Sequence, residues 1–140
     1  MSILFAFLAA IFAALVAIFA KLGLEHVDTT LATTIRAIIM AGFLVVVAFF
    51  LRKFEGFTLT ALSSKEWLLI ALAGIAGALS WLFFFLALKT GEASAVTAID
   101  RLSVVFVVLL AALFLGETLG WQAIAGALLM VSGALLITLY

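Results

Sequence analysis

The chain has 140 residues, of which 69% are hydrophobic and 10% are charged, and its formal net charge is zero. This composition provides too little polar surface to cover a water-soluble globule, so we expect an integral membrane protein. Disulfides and thiolate metal sites are excluded because the chain has no cysteine, and no basic patch favours a nucleic-acid partner.

Five apolar segments are long enough to cross a bilayer, whose hydrocarbon core of about 30 Å takes about 20 helical residues. They cover residues 2–20, 29–51, 67–88, 93–115 and 121–140. Their continuous apolar runs lack the alternation of a barrel strand, so all five are predicted to be α-helices. Because the connections are short, we expect antiparallel sequence neighbours in one all-α domain over residues 1–140.

Small side chains repeat four residues apart in the third and fifth spans. The pairs are Ala73 and Gly77, Gly74 and Ala78, and Ala123 and Ala127. This spacing lets two helix backbones approach closely. The sequence therefore predicts tight helix contacts on these two faces.

Ionised residues inside the spans are the main clue to function, because a charge there is costly unless it meets a partner or lines water. Asp100 and Arg101 are adjacent in the middle of the fourth span. They project about 100° apart, so each needs a partner elsewhere. Arg36 lies about 10 Å along the second span. Arg36 with Asp100 is the most economical pair within one chain, and Arg101 would meet Asp100 of a second copy.

Two interpretations of these charges stay open: a structural salt bridge, or a solute-binding or proton-coupled site. Nearby polar residues favour a cavity, and Trp81 is too deep in its span to serve as an interfacial anchor. Isolated hydroxyls in a span, such as those of Thr33 and Thr34, more commonly bond to their own i−4 carbonyls. The predicted solute-binding residues are Arg36, Ser80, Trp81, Thr97, Asp100 and Arg101.

Basic residues at the ends of the spans are nearly balanced across the membrane. Arg52, Lys53 and Lys65 lie on the side of the amino terminus, and Lys21 and Lys89 lie on the other. This difference slightly favours the amino terminus inside and permits insertion in both orientations. Two copies inserted oppositely would form an antiparallel pair, the arrangement that inverted repeats provide within one chain in many transporters.

Three stretches of the chain carry a family resemblance. They are GETLGWQAIAG at residues 116–126 with Ser132-Gly133, RAIIMAG at residues 36–42, and ALKTGEAS at residues 87–94. They resemble EamA-type members of the drug/metabolite transporter superfamily, and the whole chain is similar to one five-helix EamA unit. Larger members carry two such units in inverted orientation, ten helices in all, and move small metabolites through a central cavity. The resemblance therefore implies a homodimer.

One departure from the family pattern concerns the fourth span. Many members have a proline there, and this chain has none. A gating scheme built on a kink in that helix is therefore not expected.

The functional expectation is a transporter of the prokaryotic plasma membrane. It would carry a small polar or amphiphilic solute by alternating access, as a homodimer that forms a ten-helix inverted-repeat bundle in the lipid bilayer. No catalytic constellation or phosphate loop is recognisable, so we expect neither an enzyme nor a cofactor or metal. The alternative is a non-transporting helper that packs against another membrane protein and uses its charges for pairing.

Overall fold

The structure, a computed structural model, describes residues 2–58, 62–116 and 118–139, and every regular element within them is helical. The helices are α1 (Ser2–Gly23), α2 (Thr29–Phe50), α3 (Ser64–Thr90), α4 (Ala93–Asp100), α5 (Ser103–Phe114) and α6 (Trp121–Thr138). With α4 and α5 counted together, the described chain has five segments that can cross a membrane. The all-α, five-span prediction is confirmed. Glu117, in the motif before α6, and Tyr140, at the end of the last predicted span, lie outside the described residues.

Polar caps determine where two of the spans begin. Asp28 accepts a hydrogen bond from Leu31 N at 2.9 Å, which starts α2 at Thr29 as predicted. Ser63 and Glu66 form a capping box: the Ser63 N–H and hydroxyl donate to Glu66 Oε2 at 2.7 and 2.8 Å, and Glu66 N donates to Ser63 Oγ at 3.3 Å. This box stabilises a polar first turn, so α3 begins before the apolar run that starts at residue 67.

The fourth span is not the continuous helix that its apolar run predicts, because it divides into α4 and α5. Around the division, Leu102 N donates to Ile99 O at 2.9 Å and Val104 N donates to Arg101 O at 3.1 Å. These i→i−3 bonds tighten the backbone to 3₁₀ geometry, and Leu102 has the corresponding φ of −63° and ψ of −16°. The irregular turn thus falls directly after Asp100 and includes Arg101.

The division occurs in a span that contains no proline. Asp and Ser favour helix ends over helix interiors because their short polar side chains compete for backbone groups. Asp100 ends α4, and Ser103 begins α5. The prediction of one continuous helix over residues 93–115 is therefore wrong at Arg101 and Leu102, which are flanked by two residue types that favour helix ends.

The chain forms two compact units, one of which contains nearly all of α1 together with α4, α5 and α6. In this unit α4 packs along α6, and α5 also contacts α6. The Lys21 ammonium donates to Gly91 O at 2.7 Å, which joins the end of α1 to the start of α4. Its buried residues among those described are all alanines, Ala17, Ala20 and Ala134.

The other unit, Leu22–Lys89, contains α2 and nearly all of α3. Its buried residues gather where α2 begins and α3 ends, and they are Leu24, Thr29, Phe85 and Leu88. The Lys89 ammonium donates to Val27 O at 3.1 Å and joins the same two helix ends. This end of the helix pair is therefore its packed end.

The predicted tight contact on the small-residue face of α3 is wrong within the described chain. A Cβ added at Gly74 or Gly77 would meet no atom within 4 Å. Arg36 of α2 and Trp81 of α3 face each other one turn beyond Gly77, and these large side chains space the two helices apart. The small residues of α3 therefore line an open groove between α2 and α3, and they do not bring the two helix backbones into close contact.

Candidate solute-binding site

A groove of about 730 Å³ lies between α2 and α3, and we refer to it as the α2–α3 groove. Its α2 wall contains Thr30, Thr33, Thr34, Arg36, Ala37, Met40, Ala41 and Leu44. Its α3 wall contains Ala73, Gly74, Gly77, Ala78, Trp81 and Leu82. Steps of three and four residues place each set on one helix face. The volume falls within the range of about 300–1,000 Å³ that is usual for small-molecule sites.

Arg36 is the one ionised side chain among the described residues that line the groove. Its Cζ lies 3.7 Å from the centroid of the Trp81 ring and 5.4 Å from that of Phe85. At this distance the central carbon of the guanidinium is in van der Waals contact with the face of the indole. Stacking of this kind contributes about 0.5–2 kcal/mol.

The indole that carries Arg36 is itself held by other aromatic rings. Trp81 makes edge-to-face contacts with Phe84 and Phe85, each at 5.7 Å between centroids and with interplanar angles of 88° and 89°. Phe85 is only 3% exposed. Each such aromatic pair adds about 0.5–1.5 kcal/mol beyond simple burial. The guanidinium therefore rests on a platform whose orientation is fixed by packing.

The threonines near the start of α2 use their hydroxyl hydrogens within their own helix. Thr33 Oγ1 donates to Thr29 O at 2.7 Å, and Thr34 Oγ1 donates to Thr30 O at 2.8 Å. This confirms the i−4 bonding predicted for these two residues. Because each hydroxyl hydrogen is already donated, these hydroxyls can only accept further hydrogen bonds. Arg36 is the charged donor among the described lining residues.

The structure brings together two of the six predicted solute-binding residues, Arg36 and Trp81. Ser80 is exposed and is not part of the groove lining. Thr97 and Asp100 are half-buried on α4, and Arg101 is exposed in the turn after it. These three belong to the other compact unit. The pairing of Arg36 with Asp100 stays a prediction.

Phe85 was missed as a contributor to the site. Its signal lies in the same four-residue step that marks the small residues of α3. The step runs from Ala73 through Gly77 and Trp81 to Phe85, and it leads from the open part of the groove to its aromatic end. A search for small and aromatic residues that repeat every four positions on one face of α3 would have identified Phe85.

The profile of the EamA-like transporter family matches residues 1–139 of the chain. The chain belongs to this family. It is also 37% identical over 135 residues to a Sinorhizobium sp. protein named as an uncharacterized transporter in the cobO 3′ region, a match that covers 96% of this chain and 94% of that relative. No solved structure matches it.

Membership of the EamA family fixes the general class of the protein. EamA proteins are transporters and not enzymes. Together with five helices that can span a bilayer, this identifies a multi-pass integral membrane protein of a transport family. The α2–α3 groove, with its stacked arginine, is the strongest candidate for the place where this EamA chain meets its solute.

Proposed function

We propose that this EamA chain carries a small organic solute across the prokaryotic plasma membrane, and that the α2–α3 groove is part of the solute pathway. The observation that carries the proposal is the Arg36 guanidinium stacked 3.7 Å from the Trp81 ring in an otherwise apolar groove. A charged group inside a span is costly, so its placement beside a groove favours a binding role. Residues 1–140 form a single transmembrane domain, which each copy contributes to the proposed transporter.

Alternating access requires an element that can bend, and the α4–α5 turn supports this part of the proposal. Discontinuous helices near the bilayer midplane commonly form the binding sites of secondary transporters. Here the regular helix ends at Asp100 and resumes at Ser103. We assign Thr97, Asp100 and Arg101 to a second polar centre at this turn, and Ser80 to a peripheral contact on α3.

The proposed assembly is an antiparallel homodimer with ten spans. It is supported by the near balance of flanking basic residues, which permits insertion in both orientations. Removing Arg52 and Lys53 together should drive the chain toward one orientation and lower transport. Tags at the two termini would report the orientation, and a wild-type population inserted entirely one way would contradict antiparallel pairing.

The chain contains no cysteine, which makes cross-linking a direct test of the dimer. A cysteine introduced at Ser103, near the middle of the fourth span Ala93–Phe114, should cross-link to the same position of a second copy if this span faces the partner. Cysteines at Ser94 or Thr97 should not cross-link to their counterparts, because antiparallel insertion places them roughly 20–30 Å apart along the membrane normal. A monodisperse monomer that still transports in liposomes would exclude the dimer.

Reconstitution tests the transport function itself. The purified chain in liposomes should move at least one member of a panel of small anionic, neutral and cationic solutes. Arg36→Gln should abolish most of this flux. Glu55→Gln is the control, because it removes a charge from an exposed side chain and acidic residues contribute little to membrane orientation. Liposomes that move no solute would favour the helper function.

A further inference from the structure

We infer that the α2–α3 groove selects an organic anion, specifically a carboxylate attached to an apolar body. This inference rests on the proposed role of the groove as a solute site. It concerns the chemical class of the solute, which the family profile and the named relative leave open.

Charge complementarity provides the first argument. Arg36 is the only ionised group among the described lining residues, and none of these residues is acidic. A guanidinium stays charged at every physiological pH. A solute cation entering the groove would meet this charge unscreened by any lining carboxylate, whereas a solute anion would neutralise it. The groove therefore discriminates by sign.

The geometry of Arg36 provides the second argument. The central carbon of the guanidinium is held 3.7 Å from the centroid of the Trp81 ring. Two parallel N–H groups match the two oxygens of a carboxylate, and such charge-assisted pairs are roughly twice as strong as neutral hydrogen bonds. Because Trp81 is held by Phe84 and Phe85, little freedom is lost when the carboxylate binds.

The remaining walls describe the rest of the solute. From Arg36 toward Leu44 and Ala73, the lining is aliphatic or lacks a side chain. Hydrocarbon fits here, and an additional charged group would meet no partner among the described lining residues. An anionic lipid could offer the same head-group chemistry. We commit to a free carboxylate, since the open sites of Gly74 and Gly77 accommodate a compact body.

Trp81 offers a direct optical reporter of binding. The chain has three tryptophans, Trp67, Trp81 and Trp121. The double variant Trp67→Phe with Trp121→Phe leaves Trp81 alone, next to Arg36. In neutral detergent, this variant is titrated with hexanoate, hexanamide and hexylammonium, which share one hydrocarbon chain and differ in charge.

Hexanoate should change Trp81 fluorescence saturably and bind at least about tenfold more tightly than hexanamide, as a charge-assisted pair predicts, while hexylammonium should not bind. Arg36→Gln should weaken hexanoate binding at least about tenfold. Arg36→Lys, which keeps the charge and loses the fork, should weaken it less, and Arg52→Gln should leave it unchanged. Equal binding of hexanoate and hexanamide overturns the inference, and this comparison needs no variant at Arg36.

Two further arms separate this inference from its alternatives. A Trp81 response to dodecyl phosphate but not to hexanoate would assign the groove to lipid head groups and overturn the inference. In liposomes, hexanesulfonate serves as the anionic flux probe, because it cannot cross the bilayer as a neutral acid. Flux of neutral or cationic solutes without hexanoate binding would leave the transport function standing and overturn the anion selectivity. Hexanoate binding without flux of any solute would support the anion selectivity of the groove and contradict the transport function.

Discussion

Two spans of this EamA protein carry charges at depth, and they accommodate them in different ways. α2 continues unbroken from Thr29 to Phe50 past Arg36, whose guanidinium lies against a ring of the neighbouring helix. The fourth span ends its regular helix at Asp100 and resumes at Ser103. The single charge of Arg36 is stabilised by an aromatic ring of the neighbouring helix. Asp100 and Arg101, which carry opposite charges and point in different directions, lie where the backbone of the fourth span is irregular.

This difference indicates that the two spans have different roles, with solute recognition at Arg36 and a hinge at the turn after Asp100. The Arg36 side chain is supported by packed rings in a regular helix pair, which suits recognition of a solute. The turn after Asp100 has shortened hydrogen-bond steps, and such turns often mark a hinge. Each of the following variants tests one side of this comparison.

The largest effect on stability is expected for Trp81→Ala. It removes the ring under Arg36 and two edge-to-face contacts, and should lower the free energy of unfolding in detergent by about 2–3 kcal/mol. Trp81→Phe keeps a smaller ring and should cost about 1 kcal/mol. Phe83→Ala is the matched control, because Phe83 is 65% exposed. If Trp81→Ala costs no more than this control, the aromatic platform does not hold Arg36.

Asp100→Asn tests the hinge side of the comparison. It keeps the shape of the side chain and removes its charge, and we expect solute flux to fall at least about tenfold, or about 1.4 kcal/mol in the transport barrier. The melting temperature should change little. A mutant with normal flux would exclude Asp100 from the site. A large loss of folded protein would instead indicate a structural ion pair that leaves an arginine without its counter-charge. Glu55→Gln, which alters an exposed acid, is the control.

A smaller effect is expected at the packed end of the α2–α3 pair. Lys89→Met removes the hydrogen bond from the Lys89 ammonium to Val27 O and should lower the free energy of unfolding by about 1 kcal/mol. Lys65→Met, at an exposed position in the first turn of α3, should change it by less. Equal effects of the two variants would show that this bond does not anchor the helix ends.

The smallest effect, and one of opposite sign, is expected for Gly77→Ala. The new Cβ would meet no atom within 4 Å, and alanine is favoured over glycine in a helix by about 0.5–1 kcal/mol. Stability should therefore rise slightly, as it should for Gly126→Ala on α6, where space is also open. Destabilisation by Gly77→Ala alone would reveal that a helix of a second copy fills the groove.

Much of the fold could be predicted because span length and apolar content are local properties of the sequence. Hydropathy does not predict the first residue of α3, because the capping box of Ser63 and Glu66 that starts this helix is polar. The turn after Asp100 was missed because only proline was considered as an interruption. The stacking of Arg36 on Trp81 depends on the register between two helices, and a single sequence does not specify that register.

The lysine hydrogen bonds also determine how the chain would meet a protease. Trypsin must draw an unfolded segment and a free basic side chain into its active site. Lys21 and Lys89 are helical residues whose ammonium groups are bound to the carbonyls of Gly91 and Val27, whereas Lys53 lies in an exposed turn. In sealed vesicles, trypsin added outside would cut only those chains whose Lys53 turn faces outward. The cut fraction would thus count the two orientations directly, and equal insertion would leave about half of the chains intact.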